Sequence, residues 1–114
     1  MTLQFDYVEF ESSALADSRA FFEAAFGWRF TEYGPDYLGI EGAGLDGGVS
    51  AAAGARNPPL VILYADDLDA AEAGVRKAGG EIVREQFDFP GGRRFHFREP
   101  GGNELAVWSK AGGV

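Results

Sequence analysis

The chain has 114 residues, 46% hydrophobic and 14% aromatic, which suits one small domain with a real core and argues against a disordered segment. Its net charge of −8 sets nucleic acid and anionic membrane aside as partners, because an acidic surface repels both. The absence of cysteine excludes disulfides, thiolate metal sites and a cysteine nucleophile.

The opening MTLQFDYVEF has neither a basic region nor an apolar run of signal-peptide length, and no later stretch approaches a membrane span. A cytoplasmic protein is expected. The same residues alternate, with Leu3, Phe5, Tyr7 and Glu9 on one face and Val8 and Phe10 on the other, which predicts a strand covered on both sides. Ser12 and Ser13 offer N-caps for a helix to Phe26, whose apolar face is read as Leu15, Phe22 and Phe26 with Phe21 and Ala25 beside them. Gly27 supplies its stop. Extended segments are predicted at 28–33, 37–41 and 48–52, separated by turns at 34–36 and 42–47, with a polar connector at 54–59.

The pattern then restarts. Leu60 to Tyr64 is an apolar strand, and a helix opens at Asp67, with Asp69 and Glu72 at capping-box spacing and Leu68, Ala71, Val75 and Ala78 facing inward. Gly79-Gly80 ends it, and strands follow at 81–87, 93–98 and 104–109. The halves match at a constant offset of 53 residues: Tyr7 falls on Leu60, Leu15 on Leu68, Phe22 on Val75 and Gly27 on Gly80. Strand, helix face and terminating glycine all keep register, as a duplicated unit requires.

The stretches 7–28, 65–80 and 91–108 resemble the vicinal oxygen chelate superfamily of glyoxalase I, bleomycin-resistance proteins and extradiol dioxygenases. The last contains Glu99-Pro100-Gly101-Gly102-Asn103, similar to that family's Asp-Pro-x-Gly-Asn turn. The resemblance covers nearly the whole chain and implies an α+β fold: two βαβββ modules, residues 3–53 and 58–110 of a single domain at 1–114. Their curled mixed sheets would form an open cup with the helices outside. It also implies a homodimer.

In metal-using relatives the ligand positions would correspond to Tyr7, Leu60, Ala106 and a residue nearest Glu41. A divalent ion needs three or four converging donors, and Leu60 and Ala106 have none to offer. No metal or other cofactor is therefore expected. Alternation from those positions places Phe5 and Glu9, Tyr37 and Gly39, Ile62 and Tyr64, and Glu104 and Trp108 in the cup. Val8, Phe10, Leu38, Ile40, Val61, Leu63, Leu105 and Val107 then lie under the helices. On the strand 93–98, Phe95 and Phe97 fit the core, leaving Arg94, His96 and Arg98 toward the cup.

The expected ligand-binding set is Tyr7, Glu9, Tyr37, Glu41, Leu60, Ile62, Tyr64, Arg94, His96, Arg98 and Trp108, aromatic walls with a few polar groups suited to a small organic ligand. Two readings of the arginines stay open: ligand contacts, or ion pairs with Glu9, Glu41 or Glu104. His96 is the one candidate catalytic residue, a general acid or base for a lyase or isomerase, against the plainer role of a hydrogen-bonded structural histidine. The tyrosines read as stacking or core groups, Asp66-Asp67 as a helix cap, and the glycines of 42–48 as turn residues without the lysine of a phosphate loop. The leading functional expectation is metal-free ligand binding, with sequestration of the bleomycin-resistance type as one form. An enzyme, metal-free or metal-dependent, and an interaction domain with a vestigial cup are the alternatives.

Overall fold

The computed structural model describes residues 2–54 and 57–110; Ala55 and Arg56, inside the predicted connector, lie outside that range. The elements run β1 (Phe5–Ser12), α1 (Leu15–Phe26), β2 (Arg29–Glu32), β3 (Tyr37–Glu41), β4 (Asp46–Ala51), β5 (Leu60–Tyr64), α2 (Leu68–Lys77), β6 (Glu81–Phe89), β7 (Gly92–Arg98) and β8 (Glu104–Lys110). By contacts the chain groups into two compact units, residues 7–60 and residues 1–6 with 61–114. In the first, β1 pairs parallel to β4, and β3 pairs antiparallel to both β4 and β2. In the second, β5 pairs parallel to β8, and β7 pairs antiparallel to both β8 and β6. Each is thus a mixed βαβββ sheet, and the fold class is α+β. Leu15 and Leu68, matched by the offset, each open their helix.

The start of α1 differs from expectation, while α2 is capped at the expected Asp67. The residue before α1 is Ala14, without a side-chain cap; Ser12 instead accepts the Ala14 N–H at 3.0 Å and bonds Ser18 at 2.6 Å. At α2 the cap is Asp67, whose carboxylate accepts the Ala70 N–H at 3.0 Å, so the Asp69–Glu72 capping box does not form. The carboxylate within reach of the free amide is thus Asp67, two residues before Asp69. Ala78, expected to face inward, is the exposed C-cap, and the left-handed stop is Gly79, one residue before the matched Gly80.

In the second unit a core of Ala65, Leu68, Ala71, Phe95 and Val107 joins α2 to the sheet, with Leu63, Val75, Ile82 and Phe97 packed against it. Phe95 is completely buried. The first unit buries Leu38, Ile40 and Val49 on its sheet, yet no residue of α1 is buried. Phe21 and Phe26, assigned to that helix's apolar face, are 59% and 58% exposed. Half-buried Phe22 anchors α1, stacking on Trp28 at 4.9 Å and meeting Phe10 and Phe30 at 6.1 and 6.3 Å, with Arg19 over Phe30 and Ser18 bonded to Ser12. The 99–103 turn is closed by Glu99, which accepts from Gly101 N, Asn103 N and Asn103 Nδ2 at 2.7, 3.0 and 2.6 Å. Among the described residues, no helix is long and apolar enough to cross a membrane.

Candidate functional site

Strand alternation gives each sheet one face toward its helix and one away from it, and the chemistry lies on the faces turned away. In the first unit, Tyr7 and Glu9 of β1 share such a face with Tyr37 of β3. Tyr37 Oη donates to Glu9 Oε2 at 3.0 Å, so Tyr7, in contact with Tyr37 Oη, supplies the other proton of the chain. Burial raises the pKa of both phenols, and for Tyr37 the Tyr7 contact and the Glu9 charge act in the same direction. Both are neutral donors across the ordinary pH range.

Gly48 makes this cluster possible. Its position on β4 lies directly under the two hydroxyls, and a Cβ there would overlap Tyr37 Oη and Tyr7 Oη. Glu41, expected beside them, is exposed and accepts from Thr31 Oγ1 at 2.6 Å. It does not join the tyrosines.

In the second unit, β8 and β7 place Trp108 opposite Arg94, Ala106 opposite His96, and Glu104 opposite Arg98. Ile62 is buried beside Ala106, and Tyr64 meets the Trp108 ring edge-on at 4.9 Å, while Leu60 opens β5 half-buried. The Trp108 indole N–H donates to Asp6 at 2.8 Å. His96 is 6% exposed; its Nδ1 lies 2.9 Å from Glu104 Oε2. Burial, and secondarily Arg94 and Arg84, push the imidazole pKa down, while the Glu104 hydrogen bond pulls the other way. Neutral His96 therefore donates Nδ1–H to Glu104, which leaves Nε2 as a lone-pair acceptor. That atom is buried and has no hydrogen-bond partner among the described residues.

Arg98 does not take any of the expected acids. It pairs with Glu81 at 3.2 Å on the exposed end of the sheet, while Glu104 is engaged by His96. Arg94 lies over the rings of Phe87 and Phe89, at 5.3 and 5.6 Å.

Arg84, Phe87 and Phe89 of β6 belong to this face and were not expected there. Strict alternation would put Arg84 on the side of Ile82, which packs into the α2 core. Two one-residue register shifts, between Ile82 and Arg84 and between Arg84 and Phe87, break that parity. Arg84 then sits opposite His96, and Phe87 opposite Arg94. The guanidinium of Arg84 lies 3.6 Å from the centre of the Phe87 ring, and Phe87 is 5.8 Å from His96. The only hint in the sequence is the run Arg84-Glu85-Gln86, which no single period fits.

The positions that would hold a metal in relatives do not fit one here. Leu60 and Ala106 lack a donor atom, the Tyr7 hydroxyl is committed to Tyr37, and Glu41 to Thr31. No group of three or more His, Asp or Glu side chains is placed to hold an ion among the described residues. On the other side of the second sheet a groove of about 470 Å³ runs along α2 and β6, lined by Asp69, Glu72, Arg76, Glu85, Gln86 and Arg93. Its charges satisfy one another: Arg76 pairs with Glu72 and Glu85, and Gln86 bridges Asp69 and Glu72. A solvated ion-pair network of this kind is surface chemistry.

A model of the glyoxalase/bleomycin resistance protein/dioxygenase superfamily matches residues 4–107. No curated protein sequence matches. Among solved structures, a member of that superfamily from Vibrio splendidus 12B01 is similar, with a TM-score of 0.73 at 15% identity, covering 96% of this chain and 100% of the other. Methylmalonyl-CoA epimerase from Mycobacterium tuberculosis gives 0.74 at 15% identity, over 94% and 87%. The Mn(II)-bound glyoxalase from Novosphingobium aromaticivorans gives 0.69 at 22% identity, over 93% of this chain but 38% of that one.

Proposed function

Since the chain belongs to the glyoxalase/bleomycin resistance protein/dioxygenase superfamily, we propose that it is a cytoplasmic protein that binds a small organic molecule on the helix-averted faces of its sheets without a divalent metal. The observation that carries this reading is the pairing of aromatic and polar side chains there with the missing donors at Leu60 and Ala106. Tyrosine and tryptophan surfaces supply apolar contact, and a few fixed polar atoms supply orientation. A thermal-shift screen of metabolites and fragments, followed by mapping of amide shifts, tests it. Ligands are expected to perturb Tyr64 and Trp108. Shifts confined to the α2 groove would sink the assignment. Stoichiometric Zn, Mn, Ni or Fe in protein purified without chelator would overturn the metal-free part.

A second reading, a lyase or isomerase, is favoured by the Glu104–His96 pair, which fixes the tautomer and leaves Nε2 basic. It expects His96→Ala to abolish turnover while fold and binding survive. As partners the proposal names the organic ligand and a second copy of the chain, and neither nucleic acid nor membrane. The exposed Phe21 and Phe26 support the homodimer, which light scattering would check.

A further inference from the structure

Resting on the binding reading above, we infer that the helix-averted face of β6 and β7 takes a small hydroxy acid: Arg84 pairs with its carboxylate, its body lies against Phe87, and its hydroxyl donates to His96 Nε2. Three observations converge. The first is charge. In this acidic chain four arginines on other surfaces are matched with acids: Arg19 with Glu23, Arg76 with Glu72, Arg93 with Asp88, Arg98 with Glu81. Arg84 has no carboxylate partner among the described residues; its guanidinium rests on the Phe87 ring. Stacking of this kind holds the planar fork in place and leaves its N–H edge for a carboxylate.

The second is the backbone. Two successive register shifts are what bring Arg84 and Phe87 to the same face as His96, and bulges of this type re-aim side chains beside functional sites. The third is the unmet acceptor. With Nδ1–H committed to Glu104, buried Nε2 needs a donor and has none among the described residues. A carboxylate alone would not satisfy it, whereas a hydroxyl would. Arg84 and His96 face each other across the β6–β7 pair, so carboxylate and hydroxyl must be close together on the ligand, as in a 2-hydroxy acid. Nε2 is closed to solvent, so the hydroxyl reaches it by local movement of the side chains around it, which takes ps to ns for exposed residues.

The probe is 3-phenyllactate, compared by calorimetry and amide shifts with 3-phenylpropionate, which lacks the hydroxyl, and with phenyllactamide, which lacks the charge. Phenyllactate is expected to bind about tenfold tighter than the amide and several-fold tighter than the propionate, with shifts at Arg84, Phe87 and His96. Arg84→Gln should erase the advantage over the amide, and His96→Phe the advantage over the propionate. Arg19→Gln, which breaks an exposed ion pair on α1, should change neither. Equal binding of acid and amide, or an unaltered ratio in Arg84→Gln, would overturn the hydroxy-acid site while leaving a small-molecule protein. Absence of any shift with phenyllactate or lactate up to roughly 10 mM would also overturn it, and the wider screen would then decide the broader reading separately.

Discussion

The two βαβββ units share element order and strand pairing but handle their polar groups in opposite ways. The first closes its chemistry internally: two neutral tyrosines and Glu9 form one hydrogen-bonded chain over a glycine. The second leaves its chemistry open, with a stacked arginine and a histidine nitrogen that lacks a donor among the described residues. Their helices differ in the reverse sense. The second unit buries Leu68 and Ala71 of α2 over Phe95, whereas α1 fully buries no residue and rests on half-buried contacts around Phe22. Duplication preserves backbone pairing, which is generic, while each copy redistributes the side chains, which are not.

The sharpest test of that contrast is packing. Phe95→Ala should destabilise by about 3–5 kcal/mol in urea unfolding, because a fully buried ring leaves a cavity that its neighbours cannot close. Phe21→Ala, on the exposed side of α1, should change stability by less than about 0.5 kcal/mol in the monomer. Similar losses at both positions would mean that α1 is covered in solution.

Gly48→Ala tests the closed chemistry next. The new methyl must push both hydroxyls off their positions, at a cost of about 1–3 kcal/mol. Alkaline titration followed by ultraviolet absorbance should show Tyr7 and Tyr37 ionising late in the parent protein and earlier in the variant. Because both folded pKa values lie above the ordinary 10.0, their contribution is complete below pH 10.0 and fades as pH rises past it.

The smallest effect concerns His96. Its folded pKa lies below the ordinary 6.5, chiefly through burial, so its contribution is complete above pH 6.5 and is lost as pH falls through the folded value. Urea unfolding between neutral and mildly acid pH should show this loss in the parent and not in His96→Gln. An identical pH slope in both would place the imidazole in water rather than under Phe87.

Much of the fold was legible because period-two alternation and helix-terminating glycines are local signals. Leu38, Ile40, Phe95 and Val107 were assigned to the buried face by alternation, on most strands counted from positions the family resemblance supplied, and they are buried. Tyr7, Glu9 and Tyr37 were likewise expected on one face, and the structure joins them. What failed depended on non-local geometry. Arg98 found Glu81 instead of Glu9, Glu41 or Glu104, because strand ends choose partners by register. Phe21 and Phe26 fit an apolar stripe, but a stripe says nothing about whether anything covers it. Arg84 and Phe87 were missed because alternation cannot count through two bulges, and Gly48 because a missing Cβ matters only once the tyrosines above it are known.

The irregular pairing of β6 also bears on how the protein survives at high concentration. Among the described residues β6 pairs only with β7, and between Ile82 and Phe89 it runs two residues longer than the facing stretch Phe97 to Gly92. An unpaired strand margin invites another chain to add to it, and an even, flat margin is the best template. Here the spacing of amides and carbonyls is broken twice, and Arg84, Glu85 and Asp88 stand charged and exposed along it. A second β6 laid alongside would fall out of step within a few residues. The kinks that turn Arg84 toward a ligand thus also make this strand a poor seed for aggregation.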